Sequence, residues 1–125
     1  MELNVITGRI VDAAVRIHST LGPGLLESVY ENILARDLAR SGLEVVRQKS
    51  VSFEYEGMRF ENAFRPDLVI DRAIIVEVKS LPAFCAVHER QLLTYLRLLD
   101  CRVGLLLNFG TPLMKDGIRR VVNRL

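Results

Sequence analysis

Asp67, Glu77 and Lys79 are the residues whose types and spacing could do chemistry. They lie in RPDLVIDRAIIVEVKSL, residues 65–81, which reads as two short strands joined by a tight connection. In the second strand Ile74, Val76 and Val78 alternate with Ile75, Glu77 and Lys79. Strand side chains alternate faces with a period of two, so Glu77 and Lys79 share one face. A carboxylate and an amine are out of place in so apolar a strand unless they have a partner or a task. Asp67, on the preceding strand, adds a second carboxylate. Two carboxylates and a lysine converging at a sheet surface could hold a hard cation through oxygen. Metal-assisted phosphodiester cleavage uses these types: the cation polarises the phosphoryl group and lowers the pKa of a bound water, and a lysine orients that water or stabilises developing charge. A surface ion pair of Glu77 with Lys79 would account for the same residues without any chemistry.

Register separates the two readings. With a connection of two or four residues, Asp67 and Glu77 fall on opposite faces of the sheet. With three, residues 71–73, Asp67 sits directly across from Glu77. A one-residue slip flips every side chain, so the metal reading requires an odd-numbered connection or a bulge.

The elements that must position this set follow from apolar spacing. Leu3, Ile6, Ile10, Ala13, Ala14, Ile17 and Leu21 recur at helical intervals over residues 3–21. Gly22-Pro23-Gly24 stops that helix. A second is expected from about Leu25 to Arg40, with Leu26, Val29, Tyr30, Ile33, Leu34 and Leu38 on its buried side and Gly42 suited to a left-handed cap. Residues 43–54 look strand-like, Glu56-Gly57 turns the chain, and Met58 to Phe64 returns. Arg65-Pro66 interrupts the pattern. After Ser80-Leu81-Pro82 comes a helix from about Val87 to Leu99, with Leu92, Leu93, Leu96 and Leu99 as its stripe, then a buried strand over Arg102 to Asn108. Residues 118–125 are short and basic and fit strand or helix. The order, helix, helix, β-meander, helix, strand, implies a layered α/β domain. At 125 residues the chain is expected to be one domain, 1–125.

Other polar residues lie beside these stripes. Glu27 falls in the first turn of the second helix, where the dipole favours a carboxylate, and Tyr30 is one turn on, where packing is a sufficient explanation. His88, Gln91 and Tyr95 share a polar edge of the third helix, where Gln91 could orient water or contact phosphate and a solvated face is the plainer account. His18 suits the carbonyl end of the first helix. Net charge is +2, which permits a polyanionic partner without arguing for one. Arginines and lysines gather at Arg36, Arg40, Arg47 and Lys49, and again at Lys115, Arg119, Arg120 and Arg124. Cys85 and Cys101 flank the third helix, which separates them by roughly 20 Å, beyond disulfide reach. Both should be free, buried thiols, in keeping with a reducing cytoplasm. No run approaches the length of a membrane span, and the first residues carry no secretory pattern. The expectation is a cytoplasmic protein with no membrane partner.

GPGLLESVYE, with Gly24, Glu27 and Tyr30 in place, resembles the signature of the bacterial GxxExxY proteins. FRPDLVI, IVEVKSL, HERQLLTYLRLL and GLLLNFG continue the likeness in order, from about Ile10 to Val122. That family is grouped with the PD-(D/E)XK nuclease superfamily. The resemblance implies a restriction-endonuclease-like α/β core, order ααβββαβ, with a mixed four-stranded sheet (a meander plus one strand) flanked by helices. It implies Asp67, Glu77 and Lys79 as the metal-binding and catalytic set, Glu27 as a carboxylate from the preceding helix, and Gln91 and Tyr95 lining the site. The resulting expectation is a Mg²⁺-dependent nuclease, with Mn²⁺ as a possible substitute, acting on DNA and less readily on RNA. Asp67, Glu77 and the carbonyl of Val78 would ligate the cation, Lys79 would activate water, Glu27 would hold a second metal or its water, and Gln91 would orient phosphate or water. Tyr30, His88 and Tyr95 would line the cavity. The basic groups would meet the nucleic-acid backbone, with a homodimer as one source of specificity. The alternatives are a nuclease fold that only binds nucleic acid or a protein, and an assembly protein whose charges form an ion-pair network.

Overall fold

The computed structural model describes residues 1–124. Helix α1, Leu3–Leu21, buries Ile6, Ile10, Ala13, Ala14 and Ile17, the stripe its spacing predicts. Helix α2, Glu27–Arg40, begins two residues later than the periodicity suggests. It buries Tyr30, Leu34, Ala35 and Leu38. At its end Gly42 takes φ +94°, the left-handed conformation that lets its N–H and that of Leu43 reach the carbonyls of Ala39 and Leu38.

Seven strands follow: β1 Val45–Arg47, β2 Val51–Tyr55, β3 Met58–Phe64, β4 Leu68–Ile70, β5 Ile74–Lys79, β6 Val103–Asn108 and β7 Ile118–Val122. Helix α3, Ala86–Leu99, links β5 to β6. The main sheet has the order β1-β4-β5-β6-β7, and β2 with β3 forms a separate two-stranded sheet. The mixed α/β class with flanking helices is the one expected, but the sheet has five strands rather than four. Two local causes account for the difference. Residues 43–54 do not form one strand, because Gln48 adopts φ +50° and turns the chain out of the sheet after Arg47. β1 therefore pairs with β4, and β2–β3 is an excursion between them instead of part of a meander. At the other edge, Ile118–Val122 resolves as a strand antiparallel to β6. Leu125, included in the basic tail, lies outside the described residues.

Among the described residues only β5 and β6 run parallel, and α3 is the crossover such a pair needs. α1 and α2 cover one face of the main sheet, packing on Leu68, Ile70, Ile74, Val76, Val78, Leu105 and Leu107. α3 lies on the other, over Ile75 and Leu106 through Leu92 and Leu96. Gly110, just past β6, allows a close approach: a Cβ there would collide with the Leu81 backbone. No helix among the described residues is long and apolar enough to cross a membrane. Both cysteines are free; Cys101 is buried, but Cys85 is exposed, since it precedes the first turn of α3 rather than lying on its packed side.

Candidate metal centre

The connection between β4 and β5 has three residues, 71–73, and Asp71 and Arg72 both take positive φ to close it. Leu68 is paired with Val76, Val69 with Ile75 and Ile70 with Ile74. One step further along this register, Asp67 stands opposite Glu77, on the face shared with Ile75 and Lys79. The two carboxylates clasp each other's strand. The Asp67 backbone N–H donates to Glu77 Oε2 at 2.7 Å, and the Val78 N–H donates to Asp67 Oδ2 at 2.8 Å. One oxygen of each carboxylate is thereby fixed. Glu77 Oε1 accepts no hydrogen bond among the described residues, and Asp67 Oδ1 accepts only from the Gln48 side chain, at 3.1 Å.

Glu77 is 5% exposed and Asp67 half-buried. Burial pushes the Glu77 carboxyl up to about 8, and the Asp67 charge beside it acts in the same direction. Asp67 is also raised, by burial first, against the opposing pull of the Val78 N–H. Lys79, half-buried on the same face, lowers both but forms no ion pair among the described residues. Two acids this close, short of solvent and without a matching cation, hold a proton near neutrality.

The other expected residues are distributed unevenly. Tyr95 stands beside the pair: Glu77 and Asp67 both add to the burial that raises its phenol, and its ring stacks on Phe64 with centroids 4.4 Å apart. His88 is half-buried and Gln91 exposed on α3, and neither side chain hydrogen-bonds the carboxylates. Tyr30 does not line the site. It is fully buried, stacks on Phe109 at 4.4 Å, donates to the Gly22 carbonyl at 2.5 Å and accepts the Leu25 N–H at 3.1 Å, so it pins the turn between α1 and α2. Val78 points its side chain into the core and contributes the N–H that holds Asp67. His18, also buried, reaches the Thr111 carbonyl at 2.9 Å.

Glu27 does not join the carboxylate pair. Its Oε1 faces the Ser80 N–H at 3.4 Å, in an open groove of about 670 Å³ lined by Leu25, Leu26, Ser80, Leu81 and Pro82. The carboxylate of α2 that reaches toward the pair is Glu31, one turn later and nine-tenths buried. Its Oε2 accepts from Arg47 Nη2 at 3.0 Å and its Oε1 from Gln48 Nε2 at 2.9 Å. Glu31 could have been found by stepping four residues on from Glu27 along one helix side. Gln48 gave no such signal, because it lies in the polar run Arg47-Gln48-Lys49-Ser50, where one more polar side chain does not stand out.

Among the described residues no three His, Cys, Asp or Glu side chains gather closely enough to hold a metal ion. The donors that do converge are hard oxygens, Asp67 Oδ1 and Glu77 Oε1, with Glu31 reached through Gln48. Such a set suits Mg²⁺ or Mn²⁺ better than a soft metal. A second groove, of about 650 Å³, is lined by Val46, Lys49, Ser50, Arg59, Val69, Arg72 and Leu99. Several of the basic residues are already engaged: Arg36 with Asp37, Arg47 with Glu31, Arg119 with Glu89 and the Phe84 ring, Arg120 with Asn4 and Arg124 with Asp100.

The family model described as PD-(D/E)XK nuclease superfamily matches residues 4–121. No curated protein matches the chain. Among solved structures it is similar to one titled "Crystal structure of SSO0001", at 18% identity and a TM-score of 0.48. The match covers 96% of this chain and 66% of that one, so the chain spans about two-thirds of that structure's length.

Proposed function

We propose, for a chain that belongs to the PD-(D/E)XK nuclease superfamily, divalent-metal-dependent hydrolysis of phosphodiester bonds in DNA, with RNA as the second choice, and a place among the GxxExxY proteins. Nuclease chemistry in this superfamily generally uses divalent metal ions. The observation that carries the reading is the clasp between β4 and β5, which sets Asp67 directly opposite Glu77 and leaves one oxygen of each free of backbone.

Asp67 Oδ1 and Glu77 Oε1 would hold the cation, with the Val78 carbonyl as a further donor. A bound divalent cation supplies Lewis acidity toward the phosphoryl oxygens and lowers the pKa of the attacking water. Lys79 shares the face with both carboxylates and carries no ion pair there, so its ammonium is free to orient water or meet charge on the phosphoryl group. Tyr95 walls the site from α3. Gln91, exposed on the same helix, can contact phosphate as substrate arrives. Glu27 lies in the groove beside Ser80, where it would meet the substrate or a second cation away from the pair. Lys49 and Arg72, in the second groove, would meet the nucleic-acid backbone.

Calorimetric titration of Mg²⁺ and Mn²⁺ tests the premise. Wild type should bind and Glu77→Ala should not. On single- and double-stranded DNA, Lys79→Ala should keep cation binding yet lose roughly 10²–10³-fold in rate. Cation binding without hydrolysis of DNA or RNA would replace the enzyme with a binding module on the same fold. Absence of binding in wild type, with and without a DNA oligonucleotide, would end the metal reading.

A further inference from the structure

Gln48 sits where the free carboxylate oxygens meet. Its Nε2 is 2.9 Å from Glu31 Oε1 and 3.1 Å from Asp67 Oδ1. Both neighbours are acceptors when ionised, so the NH₂ end, not the carbonyl, must face them. The remaining oxygens are committed elsewhere, Glu31 Oε2 to Arg47 and Asp67 Oδ2 to the Val78 N–H. One amide nitrogen thus serves the oxygens that Glu31 and Asp67 have left for a ligand, beside the unpartnered Oε1 of Glu77. The backbone keeps it there: the Gln48 N–H donates to the Asp67 carbonyl at 3.1 Å, and φ +50° directs the chain out of the sheet at this residue. A left-handed backbone at a residue other than glycine or asparagine is uncommon and carries a conformational cost. Gln48 as a residue is exposed, so its side chain has solvent to turn into.

We infer that the Gln48 amide is a placeholder for the cation, bridging Glu31 to Asp67 until a divalent ion takes its position, and that Glu31 rather than Glu27 is the carboxylate of α2 belonging to the pair. This rests on the metal-dependent reading. An amide presents only the positive end of a dipole to two anionic oxygens, whereas a divalent cation neutralises them, so exchange of one for the other is favourable when the ion is present. Gln48 then turns away into solvent, and its NH₂ no longer donates to Asp67 and Glu31.

The test is titration of Mg²⁺ into wild type and Gln48→Met, which has similar length and no donor. The substitution should tighten binding about tenfold and make thermal stability more dependent on Mg²⁺ than in wild type. In wild type the side-chain ¹⁵N amide resonances of Gln48 should shift on Mg²⁺ addition and their protons exchange faster with water. This second readout requires no variant. Equal or weaker binding by Gln48→Met, or unmoved Gln48 resonances while wild type binds Mg²⁺, overturns the placeholder and leaves the metal reading standing. If neither protein binds Mg²⁺, both fall together.

Discussion

On the face that meets α1 and α2, the main sheet presents Leu68, Ile70, Ile74, Val76, Val78, Val103, Leu105 and Leu107, all at most 2% exposed. On the α3 face the same strands supply Ile75 and Leu106 to a much smaller apolar cluster, and then Asp67, Glu77 and Lys79. Two amphipathic helices seal the first face. One helix of fourteen residues crosses the second, leaving the half over β1 and β4 to a groove with Lys49 and Arg72 at its edge. The difference shows how a small domain keeps acids near its core. The closed face supplies stability by burying apolar surface. The thinly covered face can then hold carboxylates in a setting dry enough to shift their ionisation.

Breaking the closed face should have the largest effect. Phe109 is fully buried against Tyr30, so Phe109→Ala should cost about 3–5 kcal/mol, read as a lower denaturation midpoint in urea. Gln91→Ala, on an exposed turn of α3, should stay within about 0.5 kcal/mol of wild type in the same experiment. Equal losses in the two variants would remove the contrast between the faces.

The pH dependence sharpens the comparison from the other side. The Glu77 carboxyl is raised from 4.5 to about 8 in the folded protein. Its folded form therefore keeps a proton that the unfolded chain releases, and the associated stability is greatest below pH 4.5 and lost as pH rises toward 8. Asp67 shifts in the same direction. Without metal, the thermal midpoint should fall across this window, reflecting a loss of stability on the order of 2–4 kcal/mol. Glu77→Gln should flatten most of that slope. Mg²⁺ should restore stability chiefly at the alkaline end, because ligation requires the deprotonated acid. A midpoint that rises between pH 5 and 8 would contradict the burial of Glu77.

A smaller loss than that of Phe109→Ala concerns the turn between α1 and α2 on the closed face. Tyr30→Phe keeps the stack on Phe109 but removes the hydroxyl that holds Gly22 and Leu25. The expected cost is about 1 kcal/mol, with faster amide exchange at Leu25 and no change in Mg²⁺ affinity. A loss of affinity would give Tyr30 the place in the site that its burial denies it.

Apolar period and residue type alone determined the three helices, the paired strands around residues 65–79, the two charged residues that interrupt the second of them, and Asp67 ahead of the first. These are local properties: a stripe at 3.6 or 2 residues dictates which side of an element is buried, and an acid in such a stripe is visible at once. The three-residue connection was legible as a requirement, since strand parity makes the convergence of Asp67 and Glu77 depend on it. Tertiary structure decided the remainder. Whether residues 43–54 were one strand or two depended on the left-handed backbone at Gln48, which residue type does not announce. Which of Glu27 and Glu31 comes nearer the carboxylate pair depended on how α2 lies across β1 and β5. The raised Glu77 carboxyl depended on how much water α3 and the strand ends exclude. Each of these is a distance between segments far apart in the chain, and periodicity carries no information about distance.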